Sequence, residues 1–340
     1  MTASAIVGWD IGGVNVKAAL VVGGRLRGAI SRPLEIQHRF DALGATLADA
    51  VAELGAPADT WHAVTMTAEL SQRFRTKAEG VTAVLDAVEA ALRPDRVRVF
   101  DVHGRFVTCV DARRDTLAVS ASNWVATATL IATRTPDAVL VDIGTTTTDI
   151  IPIVGGRIAA VGRTDPDRLA SGELVYTGLV RTPIEAVLRV VPYRRGQAAV
   201  SADGFAIVGD AHLWCGTLAA ADYTAPTPDG RPAARLWAGE RLARIVCADR
   251  TMLDDAAIDA IAAAVVEAQT ATISAAIARV AGIAGVRAAV VAGLGDAIAA
   301  KAAARAGLDV VRLADTLGSA ARGAPAAAVA LLFAETPAGG

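Results

Sequence analysis

Short apolar runs and helical spacings alternate along this chain, and their order predicts its elements. Residues 6–9 and 139–141 are apolar runs that each lead into Asp-Ile-Gly, and each predicts a strand. A second strand follows each of them, and Gly-Gly at 23–24 and 155–156 offers the positive φ angles of a tight turn into a third. In the first half the spacing then predicts a helix over 41–54, a strand over 63–67, a helix over 81–92 and a strand over 97–100. In the second half Ile258, Ile261, Val265, Ile273, Ile277 and Val280 keep helical spacing in one long helix. A strand over 288–291, a Gly-Leu-Gly turn and another helix follow, whereas the Pro-rich stretch 223–232 reads as a loop.

The two strand–turn starts are copies of one unit. DIGGVNVKAALVVGGR (10–25) and DIGTTTTDIIPIVGGR (142–157) align without a gap, with seven of sixteen positions identical. Such a duplication predicts an α/β protein of two related domains, 1–135 and 136–317, around a central cleft. A helix over 318–335 is expected to pack back on the first domain. Residues 160–250 fit the repeat poorly and read as an insertion that carries substrate specificity. Asn123 and Trp124, in a run of small residues ahead of the second copy, predict a closely packed helix crossing between the domains.

Composition narrows the partners. With 53% hydrophobic and 20% charged residues the chain is not disordered, and at 4% aromatic its core must be built from Val, Ile, Leu and tightly packed Ala helices. The 33 Lys and Arg against 35 Asp and Glu leave a net charge of -2, so neither nucleic acid nor an anionic membrane surface is an expected partner. The most apolar stretch, 254–280, contains Asp259, Glu267 and Arg279, which argues against a membrane span. No secretory pattern precedes the first strand, and Cys109, Cys215 and Cys247 are too few and scattered for a disulfide framework, so a cytoplasmic location is expected. His212 and Cys215 lack a second ligand pair, so zinc is not expected. Whether copies associate as a homo-oligomer is left open.

A turn that presents Asp, Gly and small polar residues between two strands suits a phosphate–metal site. Glycine lets backbone N–H groups approach phosphate oxygens, hydroxyls add donors, and Asp offers a hard oxygen to Mg²⁺. The first copy supplies Gly12, Gly13, Asn15 and Lys17; the second supplies Gly144, Thr145, Thr146 and Thr147. Asp10 and Asp142 are the candidate ligands for Mg²⁺ or another divalent cation. A single Asp-x-Gly is usually only a turn, but two at equivalent places in a repeat favour a functional cleft. Gly293 and Gly295, between a strand and a helix, are further candidates for binding an anion, without the third glycine of a dinucleotide fingerprint.

Asp10-Ile-Gly-Gly, Asp142-Ile-Gly-Thr-Thr-Thr-Thr-Asp149 and Val290-Val-Ala-Gly-Leu-Gly-Asp296 resemble the phosphate and adenosine motifs of the actin/Hsp70/sugar-kinase superfamily, whose domains are ribonuclease H-like. Within it the chain is similar to the hydantoinase/oxoprolinase-related branch. Thr65-Met-Thr-Ala-Glu-Leu70, Asn123-Trp124, Gly172-Glu-Leu-Val-Tyr-Thr-Gly178, Arg181-Thr-Pro183 and Val246-Cys-Ala-Asp249 resemble the ether-forming synthase family of methanofuran biosynthesis, over nearly the whole chain. Ala68 departs from the glycine of that family's Met-Thr-Gly-Glu-Leu string.

The resemblance implies a transferase that joins an aminomethylfuran-methyl diphosphate to the phenol oxygen of a tyramine or tyrosine unit, releasing diphosphate. Lys17, the Thr145–Thr147 donors and a cation on Asp10 and Asp142 would then carry the charge of the leaving group. Glu69, at the end of a predicted strand, is the first candidate base, with Asp149 and Asp210 behind it. A solvated loop carboxylate is an equal reading of Glu69, and a helix cap is the stronger reading of Asp210. Glu173, Tyr176 and Arg181 are candidates for holding substrate: Tyr176 by stacking, if it is not core, and Arg181 by binding a glutamyl carboxylate. An ATP-dependent kinase or an oxoprolinase-type amidohydrolase is the competing activity, and a nucleotide-driven switch ranks last.

Overall fold

The computed structural model describes residues 5–336. β1 (Ala5–Ile11), β2 (Asn15–Val22) and β3 (Arg25–Pro33) form an antiparallel meander. β4 (Trp61–Met66) runs parallel to β1 and β5 (Val97–Phe100) parallel to β4, while the short β6 (Phe106–Val107) closes the far edge. The sheet order is therefore β3-β2-β1-β4-β5-β6. The second half repeats this plan with β7 (Ala138–Ile143), β8 (Thr148–Val154) and β9 (Arg157–Ile158). β10 (Leu174–Val175) adds to β8, and β11 (Val190–Tyr193) and β12 (Gly196–Ala199) form a separate hairpin. β13 (Ala288–Gly293) and β14 (Asp309–Arg312) complete the sheet in the order β10-β8-β7-β13-β14.

The sequence repeat is preserved in register. Asp10 pairs with Lys17 across β1 and β2, and Asp142 pairs with Asp149 across β7 and β8. Gly23, Gly24, Gly155 and Gly156 all have left-handed φ angles, between 56° and 73°, as tight turns with a right-handed strand twist require.

Helix boundaries differ from the periodicity where local chemistry intervenes. The helix expected over 41–54 is broken into Ile36–Arg39, a 3₁₀ turn and Leu43–Glu53. The helix expected from residue 81 starts at Lys77, because the Thr76 side chain accepts from the Glu79 N–H and caps it there. The long helix runs Asp255–Ala284, from its Asp254 cap to Gly285 in the left-handed conformation.

One core joins the two sheets. The helices Asn123–Ala132 and Ala324–Glu335 bring Trp124, Ala126, Ala327 and Ala330 into a cluster with Ile6 and Val21 of the first sheet and Leu140, Ile151 and Val290 of the second. Alanine lets the backbones come close, and Gly8 of β1 takes this furthest: a Cβ there would collide with the Ala326 carbonyl and with Ala330. Asp255–Ala284 and Ala314–Glu335 are long and apolar enough to cross a membrane by length and composition. The first packs against β7 and β8, and helix Ala324–Glu335 packs against β1, β2 and β4, which accounts for their apolar faces.

Candidate active site

The turns after β1 and β7 face one another across the two halves. The Asn15 side-chain amide donates to Thr145 Oγ1 at 3.3 Å and to Thr224 Oγ1 at 3.0 Å, so one residue ties the first turn, the second turn and a loop between two helices of the insertion. Both turns close in the same way, Gly12 N–H to the Asn15 carbonyl and Gly144 N–H to the Thr147 carbonyl, each at 2.9 Å. Gly12 and Gly144 thus shape the turns instead of donating to phosphate, a correction to the sequence reading. Among the described residues, the N–H groups of Gly13, Val14, Thr145, Thr146 and Thr147 have no backbone acceptor, which makes them the candidate donors for an anion.

A charge cluster lies between the turns. Lys17 Nζ is 3.1 Å from Asp10 Oδ2, and its stem runs beside Gly323. Burial works against the charge on Lys17, yet Asp10, Asp142 and Asp149 outweigh it and the pKa is raised. Asp142 is pushed up to about 7, by burial first and by Asp149 second. The positions equivalent in the repeat, Lys17 and Asp149, thus carry opposite charges. Asp149 is raised by burial and opposed by Arg168, a fully buried arginine that pairs with it and stacks over the Trp124 ring at 4.7 Å. This pairing already engages one oxygen of the Asp149 carboxylate.

The cluster fits a divalent cation of modest protein ligation. Asp10 Oδ1 is buried without a hydrogen-bond partner among the described residues, as is Asn15 Oδ1. No group of three or more His, Cys, Asp or Glu side chains able to cage an ion is found among those residues. Two carboxylates completed by water and phosphate oxygens is the arrangement Mg²⁺ favours. Gly293 makes room for it: at φ 88° it has no Cβ, which would otherwise strike the Asp142 carboxylate. Gly293→Ala is accordingly expected to cost about 1–3 kcal/mol of stability and to displace Asp142, checked by denaturant unfolding with and without Mg²⁺.

Glu69 stands at the other end of the same polar seam, linked to the cluster through Asp165, which acts on both Glu69 and Asp149. It lies in a 3₁₀ turn, Ala68–Leu70, directly after β4, and helix Lys77–Ala91 crosses that turn at Gly80. Ala68 sits there without a left-handed φ, so the turn does not depend on glycine. Glu69 is only 2% exposed, and neither carboxylate oxygen has a partner among the described residues. Burial raises it to about 7. It is therefore not the solvated loop carboxylate that the sequence equally allowed.

A profile described as hydantoinase/oxoprolinase matches residues 60–336, most of the chain. The chain belongs to the hydantoinase/oxoprolinase family. It is 39% identical over 259 residues to a protein of Methanocaldococcus jannaschii named (4-{4-[2-(gamma-L-glutamylamino)ethyl]phenoxymethyl}furan-2-yl)methanamine synthase, with 75% of each chain covered. Its fold is similar to nucleotide-free acetone carboxylase (TM-score 0.62, 12% identity, 97% of this chain and 70% of that one). It is also similar to the ethanolamine utilization protein EutJ from Carboxydothermus hydrogenoformans (TM-score 0.51, 14% identity, 98% and 91%). The architecture is the two-sheet actin/Hsp70/sugar-kinase α/β fold.

In this family member the middle strings surround the second turn without all reaching the cleft. Residues 177–181 wrap the turn: Leu179 N–H donates to the Gly144 carbonyl, and Val180 and Arg181 N–H to that of Thr145. Arg181 makes no ion pair among the described residues, and Tyr176 is 58% exposed and so not core. Two candidates are corrected, Glu173 for holding substrate and Asp210 as a runner-up base. Glu173 is occupied by the N–H groups of Val161 and Gly162 and by Ser171, and holds that loop. Asp210 is buried against Arg241 and the Tyr223 hydroxyl and accepts from Ile207 N–H at the start of helix Val208–Trp214. Gly295 is also corrected, because its N–H donates to the Ile143 carbonyl at 2.9 Å.

Sequence reading missed Thr224, Arg168 and the buried chain His212–Gln269–Thr177 that backs the second turn. Only Arg168 had a local signal, since Thr164-Asp-Pro-Asp167 is a helix start. A cavity of about 410 Å³ lined by Asp203, Phe205, Asp229 and Arg244, and one of about 380 Å³ under Phe106 and Leu332, both lie away from these groups. The convergence of unpartnered polar atoms, not cavity volume, marks these turns as the candidate site.

Proposed function

We propose that this family member joins a furan-methyl diphosphate to the phenol oxygen of a tyramine-type acceptor, forming an ether and releasing diphosphate. The observation that carries this reading is the 39% identity, over 75% of both chains, to the synthase whose named product contains that phenoxymethyl-furan ether. The phenol oxygen bonds to the furan methylene as the carbon–oxygen bond to diphosphate breaks; the bonding pair leaves with diphosphate and the phenol proton passes to Glu69. The furan ring spreads the positive charge that develops on the methylene. Lys17, the free N–H groups of Gly13, Val14, Thr145 and Thr146, and the Thr145–Thr147 hydroxyls bind the leaving diphosphate. A divalent cation held through Asp10 and Asp142 would neutralise part of the diphosphate charge. A phenol with a pKa of about 10 is a weak nucleophile at neutral pH, so a buried carboxylate near pH 7 suits the base. Arg181, beside the second turn, takes an anionic end of a substrate, and Tyr176 flanks the aromatic ring.

The test is an assay with the furan diphosphate, a phenolic acceptor and Mg²⁺, reading ether by mass spectrometry and diphosphate by a coupled assay. Both products are expected only when all three are present, and chelation with EDTA is expected to abolish them. Absence of ether from folded protein overturns the reading, and turnover of ATP in its place favours an ATP-dependent kinase or amidohydrolase.

A further inference from the structure

Lys77 and Asp165 connect the two halves beside Glu69. Their side chains meet at 3.1 Å and are 23% and 18% exposed. Each stands at the first position of a capped helix: Thr76 caps Lys77–Ala91, and Thr164 caps Asp165–Ser171. The pair therefore joins fixed points on two bodies rather than the tips of loose loops. Gly80, one turn after Lys77, lies so close to the Glu69 backbone that no Cβ fits between them, which holds Lys77 over the same turn.

The surroundings of Glu69 are sparse in charge. On the helix that covers it, Glu79 accepts from Arg75 N–H, and Asp86 and Glu89 both bind Arg113. From the segment on its other side Ala121 faces it with its N–H, held in a left-handed conformation at φ 48°. Lys77 and Asp165 are the charged groups that act on it. Glu69 is 2% exposed, and the pair bridges the two halves beside it.

We propose that Lys77 and Asp165 are positioning residues: their ion pair closes the acceptor end of the cleft and sets the charge around the carboxylate that takes the phenol proton. This rests on the reading of Glu69 as the base. The two partners act on Glu69 with opposite sign, lysine favouring the ionised carboxylate and aspartate opposing it. A merely structural bridge would respond alike to loss of either partner.

The experiment is titration of Glu69 by carbon-13 NMR in wild type, Lys77→Met, Lys77→Arg and Asp165→Asn, together with KM for the phenolic acceptor. The midpoint is expected to rise in Lys77→Met, fall in Asp165→Asn and stay near wild type in Lys77→Arg. KM for the acceptor is expected to rise about two- to fivefold in both charge-removing variants. Shifts of the same sign, or none, overturn the proposal. Opposite shifts in a protein that forms no ether leave the ion pair's role standing and defeat the ether-synthase reading instead. Should Lys77→Met fail to fold, the downward shift in Asp165→Asn decides alone.

Discussion

Glu69→Gln is expected to give a protein that is nearly inactive and, at alkaline pH, more stable than wild type. Burial raises the folded-state pKa of Glu69 from 4.5 to about 7. A raised carboxylate contributes stability that is full below its unfolded pKa and is lost as pH rises through the folded one, because the buried group must then ionise. Glutamine carries no charge at any pH. The stability gap therefore opens between pH 4.5 and about 7, and above that is on the order of 3 kcal/mol. Loss of the base is expected to lower kcat by about 10²–10⁴-fold, while in wild type kcat/KM falls as pH drops below about 7. Denaturant unfolding at acid and alkaline pH, beside ether formation, measures both. A variant that keeps its kcat removes Glu69 from the chemistry, and one whose stability follows wild type at every pH contradicts the buried, unpartnered carboxylate.

Lys17→Met is expected to retain the fold and lose about 10²–10³-fold in kcat. Methionine keeps an apolar stem beside Gly323 and removes only the ammonium group. Three carboxylates then face one another without it, and Asp142 loses the lysine that pulls its pKa down, so the variant takes up a proton there near neutral pH. Because the pKa of Lys17 itself is raised from 10.5, its stabilising contribution is constant below that value and fades only at higher pH. The activity loss should thus show no added pH dependence from lysine titration between pH 6 and 9. Calorimetric binding of Mg²⁺–diphosphate and the rate of diphosphate release test this, and an unchanged rate excludes Lys17.

The contrast between these residues and the misread ones shows what the sequence could carry. The gapless repeat made the equivalence of Asp10 with Asp142 and of Lys17 with Asp149 legible, while the pairing of each couple across its hairpin appears only in the fold. Local turn chemistry was legible too, in the Gly-Gly pairs and in the strand that delivers Glu69. Long-range partners were not. The capping role of Asp210 was legible, but nothing near it in sequence marks Arg241, 31 residues on, as its buried partner. Glu173 lies within a family-like string yet serves backbone N–H groups that only the folded loop presents. The glycines of the turns pointed to the right place for a less direct reason: the N–H groups of Gly12 and Gly144 are consumed by turn closure, and the candidate donors are the residues that follow.

The tight contact between Gly8 and helix Ala324–Glu335 bears on how the chain is made. β1 leaves the ribosome long before the helix that covers one of its faces. At about 5–20 residues per second, that strand waits roughly 15–65 seconds for its cover. The first sheet is completed only by a helix that follows all of its strands, and until then its apolar face is open to chaperones or to the same strand of a neighbouring nascent chain.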